Sequence, residues 1–273
     1  YLRENDLITI DINDQRFKRF ILKTVHLFYY WKNFYRTNKV KAIIASHSVY
    51  LTALPLRAAM KYNIDCYCVN HHAAFRLTKK KPLVWANFDD YPKIYNQLPK
   101  IIQKKGVLIA KSQLNKRFTG KKDMLYKISD PLKEGTFLPG KKFNKRVLNN
   151  NKNFKVLIAA HDFNDAPHLH KDLIFEDMYE WLDYLGKFSI KKKNIDWYIK
   201  LHPAEYDKNL LKMSFFLSKY KRFKLLPKNI SHNQIVKEGI NCALTCYGSI
   251  GHEYPFFGIP VINSGHNPHV GYN

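Results

Sequence analysis

From residue 155 onward the chain repeats one pattern: a short apolar run, a polar turn, then a stretch long enough for a helix. The runs are 155–160 (KVLIAA), 197–201 (WYIKL), 223–226 (FKLL), 243–246 (ALTC) and 261–262 (VI). Helix-length segments at 171–188, 210–220 and 231–238 separate them, the last opening on Ser231 as an N-cap. Apolar runs without polar alternation read as strands covered on both faces, and strand–helix alternation with short links makes a parallel sheet. The first half carries a shorter version, with strand 42–45, helix 50–62 and strand 66–69. A strand at 7–12 (LITIDI), an aromatic-rich helix at 14–35, an irregular basic stretch at 73–82, a helix at 91–104, a strand at 107–110 and a short helix at 112–118 are also expected. Lys, Asn, Gly and Pro dominate 120–151 without periodicity. The expectation is therefore a Rossmann-like domain over 1–120, a linker over 121–151 and a second domain over 152–273, with a cleft between facing carboxyl edges. Both ends break off close to strands, so a terminal helix is expected beyond residue 273.

Charge decides which partners fit. Forty-six Lys and Arg stand against 22 Asp and Glu, a formal +24, which favours polyanions: phosphorylated substrates, an anionic membrane face or nucleic acid. No zinc finger or RNA-binding signature accompanies the charge, which argues against nucleic acid. Cys66, Cys68, Cys242 and Cys246 lack the CxxC spacing of a zinc site and read as buried thiols in a reducing cytoplasm. No run reaches the ~20 apolar residues of a membrane helix, and the start carries no signal-peptide pattern.

Chemistry concentrates in the loops that follow strands. His47 follows the 42–45 strand and His71 the 66–69 strand, both at carboxyl ends. Residues 161–170 (HDFNDAPHLH) gather three His and two Asp, which suit an acid/base role or, through His168 and His170 with Asp162 or Asp165, a metal. No helical His pair supports the metal. Lys200 and His202, with Pro203, end a strand with the donors that a phosphate oxygen needs. Gly248, Ser249, Ile250 and Gly251 form a turn opening a helix that carries His252 and Glu253, a candidate anion cradle at the edge of a parallel sheet.

In this order and spacing, KLHP at 200–203 and YGSIGHEYPFFGIPVI at 247–262 resemble the bacterial capsule and surface-polysaccharide glycosyltransferases of the GT-B type. These are related in pattern to Kdo transferases, bacterial sialyltransferases and polyglycerol-phosphate polymerases. The resemblance implies two Rossmann-type parallel-sheet domains facing a central cleft, with an acceptor-side N-terminal domain and a nucleotide-sugar-binding C-terminal one. It implies metal-independent transfer, with inversion, from a nucleotide-sugar co-substrate to a glycan or lipid-linked acceptor of a capsule or O-antigen. His202 would bond the donor phosphate and Pro203 hold its loop; Ser249 and the backbone at 248–251 would take the remaining phosphate oxygens; Glu253 would hold the ribose. Where several CMP-sugar enzymes carry paired hydroxyls, Ser249 is followed here by Ile250.

Position alone makes Asp162 the expected base for the acceptor hydroxyl, with His47, Asp165 and His71 behind it. A nucleotide-sugar epimerase of the same architecture is the rival enzyme, and a basic nucleic-acid-binding protein the rival non-enzyme. The excess charge is expected to serve a cytoplasmic protein peripheral to the inner face of an anionic membrane.

Overall fold

The computed structural model describes residues 1–69, 73–84, 90–119, 137, 145–169, 172–203 and 206–266. It is a mixed α/β, Rossmann-like chain in two compact units: unit 1 comprises 1–91, 166–173 and 266–268, and unit 2 comprises 92–165, 174–265 and 269–273.

Unit 1 runs α1 (Gln15–Thr37), β1 (Ala42–Ala45), α2 (Tyr50–Lys61), β2 (Asp65–Val69) and β3 (Ala74–Leu77). β1 and β2 pair in parallel around α2, as the βαβ reading requires. The basic stretch expected to be irregular forms β3 instead, antiparallel to β2, with Phe75 opposite Cys68. Its apolar positions Phe75 and Leu77 alternate with Arg76, the period of a half-covered strand. Cys66, Cys68, Leu56 and Tyr35 are buried together, with Phe28 and Trp31 of α1 packed on them. The expected strand at 7–12 forms turns, leaving Ile10 and Ile12 exposed. An alternating run becomes a strand only where a neighbour supplies the ladder, and among the described residues β1, β2 and β3 pair only with one another.

Unit 2 opens with α3 (Tyr91–Gln97, whose first residue falls in unit 1) and α4 (Lys100–Phe118). The expected strand at 107–110 lies inside α4, because four apolar residues flanked by Lys and Gln fit a helix equally well. Phe118 at the end of α4 packs on Phe137, Phe256 and Phe257 in unit 2. Most of the expected linker lies outside the described residues.

Then follow β4 (Phe154–Ala159), α5 (Met178–Lys191), β5 (Ile195–Lys200), α6 (Tyr206–Lys219), β6 (Phe223–Leu225), α7 (His232–Lys237), β7 (Cys242–Thr245), α8 (Ile250–Glu253), a 3-10 turn (Pro255–Phe257) and β8 (Val261–Asn263). The five strands form one sheet in the order β6-β5-β4-β7-β8, every pair parallel. The chain starts at the centre, moves two strands to one side, then returns to build the other side. The reversal falls between β4 and β7, the place where open α/β sheets form a ligand crevice. One sheet face buries Leu157, Tyr198 and Ala243 with Leu226, Ile235 and Tyr254. On the other, Trp197 meets Phe188 of α5 and Phe223, which in turn meets Phe216 of α6.

Candidate functional site

Strand register sets the site. Ala159 pairs with Lys200, and Thr245 Oγ1 donates to the Ala159 carbonyl at 3.3 Å, so the carboxyl ends of β5, β4 and β7 lie side by side. A cleft of about 240 Å³ opens beyond them, lined by Lys200, His202 and Pro203 from the first loop, His161 and Asp165 from the second, and Gly248, Ser249, Ile250 and Glu253 from the third. Arg117 and His232 also face it.

The turn after β7 is closely packed. The His161 ring lies 4.1 Å from Tyr247, centroid to centroid, and its Nε2 accepts from the Tyr247 amide at 3.4 Å. The Gly248 amide donates to Thr245 Oγ1 at 3.2 Å. A Cβ on Gly248 would stand 2.7 Å from Thr245 Oγ1 and 3.3 Å from His161 Nε2, so close approach, not backbone twist, demands glycine. Gly248→Ala is expected to cost about 1–3 kcal/mol in urea unfolding and to displace His161 from the cleft wall.

Two expectations for this turn change. The helix behind it is a single turn: Pro255 has no N–H for the Gly251 carbonyl, and a 3-10 turn takes over. The amides of Tyr247 and Gly248 are already bonded to His161 and Thr245. Of the expected cradle at 248–251, the Gly248 and Gly251 amides are engaged within the turn, and the cations on the cleft come from side chains. Gly251 is buried and does not line the cleft, and Ile250 belongs to the hydrophobic core while touching the cleft's floor.

Lys200 is 8% exposed. Among the described residues its ammonium meets the Lys228 carbonyl at 3.3 Å and no carboxylate, and burial pulls its pKa down from 10.5 to about 8. An amine in that condition gains most from an arriving anion, which would stabilise the charge that burial opposes. His202 beside it is pushed down by burial, against the pull of Asp165 and Asp162. His232 is held well below its ordinary value by burial and by Lys200 and Arg117, with Nδ1 2.7 Å from the Tyr254 hydroxyl.

Glu253 is 1% exposed and ion-paired with Arg117, whose Nη2 also donates to Ser249 Oγ at 3.3 Å. Burial raises the Glu253 pKa, opposed by Arg117 and Ser249. The carboxylate that the resemblance assigns to a ribose thus holds a guanidinium here. Arg117 is the residue sequence reasoning missed. It sits in the last turn of α4, ahead of a segment read as linker, and no local signal ties it to Glu253 at 253. His161 was visible only as the first residue after KVLIAA.

Asp162 Oδ1 accepts from the Asn164 amide at 2.9 Å and caps its own loop; it does not line the cleft, whereas Asp165 does, 3.3 Å from the Tyr247 hydroxyl. His47 belongs to unit 1, half-buried in the loop between β1 and α2, and His71 lies outside the described residues. His168, also in unit 1, meets the Tyr50 hydroxyl through Nδ1 at 2.9 Å; His170 lies outside the described residues. Among the described residues no group of three or more His, Cys, Asp or Glu side chains could hold a metal ion. All four cysteines are free and buried.

No protein-family model and no curated protein matches the chain. Among solved structures, it aligns with Thermosulfurimonas dismutans KpsC, a beta Kdo 2,4 transferase, over 85% of this chain and 70% of that one, at 12% identity and a TM-score of 0.43. A likeness at that level decides nothing about activity.

Proposed function

We propose that the protein is a GT-B-type glycosyltransferase that binds a nucleotide sugar in the cleft of unit 2 and passes the sugar to a bacterial surface glycan. One observation carries the reading: Lys200, a buried amine that meets no carboxylate among the described residues, stands at the carboxyl end of β5, next to the sheet's reversal point, with His202 and Arg117 on the same cleft. That is where parallel sheets hold nucleotides, and a departing nucleotide phosphate needs cations there. The KLHP and GSIGHE motifs, read above as those of capsule glycosyltransferases, supply these same walls.

In this reading Lys200 and His202 take the donor phosphate and Ser249 a further oxygen. Glu253 orients Arg117, whose guanidinium lines the cleft, toward the leaving nucleotide. Asp165, on the wall near Tyr247, accepts the acceptor's hydroxyl proton as the new glycosidic bond forms and the bond to the phosphate oxygen breaks. The chemistry calls on no metal.

The test is nucleotide release from a panel of CMP-, UDP-, GDP- and CDP-sugars, with and without a glycan acceptor. One donor should be consumed at an acceptor-dependent rate, and Asp165→Asn should lower that rate at least about a hundredfold while nucleotide binding persists. Asp162→Asn should leave both unchanged. Conversion of the donor without any acceptor would make the protein an epimerase instead.

A further inference from the structure

Only Gln103 and Phe118 are buried along the nineteen residues of α4. A helix of that length is about 28 Å long, and nearly all of it meets solvent. Solvent-facing helices are ordinarily polar, yet Ile101 is 75% exposed, Leu108 68%, Ile109 49% and Ile102 46%. Residues seven apart share a helix face, so Ile101 and Leu108 form one apolar row and Ile102 and Ile109 a second, about 100° round the helix. Between the rows stand Lys105, Ser112 and Lys116. The helix holds five lysines, one arginine and no acid. Just before it, Ile94 and Leu98 add exposed apolar surface. Two open depressions flank it, one lined by Tyr95, Lys100 and Lys104, the other by Lys111, Ser112 and Lys116.

We infer that α4 is a docking helix for an anionic lipid surface, lying in the interface plane with its isoleucine and leucine rows in the acyl boundary and its lysines on lipid phosphates. Charge selects this occupant. A second copy of the chain would bring the same acid-free helix and the same +24 against itself. Two apolar rows separated by lysines are also too broad for the narrow stripe that a helix lays into a protein groove. They suit an interface where lysine stems lie along apolar surface and the ammonium groups reach headgroups. No helix among the described residues is long and apolar enough to cross a membrane, so contact would be along the surface. The inference stands independently of the donor reading. Its consequence for that reading is positional: Arg117 lies nine residues beyond Leu108, about 14 Å along the helix, which brings the cleft to the lipid face.

The test uses the full chain with vesicles of phosphatidylcholine alone or of an equimolar phosphatidylcholine/phosphatidylglycerol mixture. Sedimentation with the anionic vesicles, none with the neutral ones, and release by salt are expected. Ile101→Ser/Leu108→Ser should weaken partition at least about tenfold. Because the native thiols are buried, Leu108→Cys can carry an environment-sensitive dye, which should shift to the blue on anionic vesicles alone. The dye decides the matter even if the serine variant folds poorly. Equal binding to neutral vesicles, or full binding by the serine variant, would overturn the assignment. So would loss of binding in Leu22→Ser/Val25→Ser on α1, a longer acid-free helix with exposed apolar residues, with α4 variants unaffected. A dye already blue-shifted without lipid would mean that the chain itself covers α4. A concentration-dependent blue shift without lipid would mean a second copy does.

Discussion

Arg117→Ala should lose about 3 kcal/mol of stability at neutral pH, measured as a drop in the urea midpoint. That is the lower end for breaking a buried ion pair, because the Arg117 side chain keeps 16% of its exposure while Glu253 keeps 1%. The loss comes from Glu253, left as a buried carboxylate without its guanidinium. Its pH dependence identifies it. Burial already raises the Glu253 pKa above 4.5, and removing Arg117 raises it further. Below that raised value the native state holds a proton that the unfolded chain has released, so the deficit should shrink as the pH falls toward the carboxylate range. Adding Glu253→Gln should recover part of the stability at neutral pH, a result that mere loss of packing at Arg117 would not give. Nucleotide affinity should fall in both variants.

Lys200→Met should act in the opposite sense on stability and in the same sense on binding. With a pKa near 8 against an ordinary 10.5, the buried ammonium opposes folding by on the order of 3 kcal/mol at neutral pH, and methionine of similar shape removes that penalty. Below about pH 8 native and unfolded chains both carry the proton and the penalty is whole. Between about 8 and 10.5 the unfolded chain keeps a proton that the native state has lost, so wild-type stability should climb with pH and then level off. The methionine variant should lack that climb and should bind nucleotide about a hundredfold more weakly. A stabilising substitution that abolishes binding marks a group retained for function at a cost to the fold.

The fold was legible where periodicity and burial agree. The runs at 155–160, 197–201 and 243–246 are apolar because β4, β5 and β7 are covered on both faces, and that burial is what makes the pattern readable. It was misread where four apolar residues could serve either period, at 107–110, and where a strand-like stretch has no neighbour to pair with, at 7–12. The site divides in the same way. Lys200, His202, Pro203, Gly248 and Ser249 follow strands directly, so sheet register alone delivers them to one cleft. Arg117 arrives from a helix more than a hundred residues away in sequence from Glu253, and only packing of Phe118 against Phe137 and Phe257 brings it in. Asp162 and Asp165 looked equivalent in sequence. An Asx turn to Asn164 separates them, turning one into a loop cap and leaving the other on the wall.

The central claim is that the cleft beyond β5, β4 and β7 receives a nucleotide phosphate through Lys200. Calorimetric titration of the wild type and Lys200→Met with CMP, CDP, UDP and GDP, below and above pH 8, tests it directly. The account predicts that at least one nucleotide binds the wild type, that its affinity falls as the pH rises through the Lys200 pKa, and that methionine removes both the affinity and its pH dependence. A nucleotide bound equally well by both proteins, or no binding by any of the four, would contradict it.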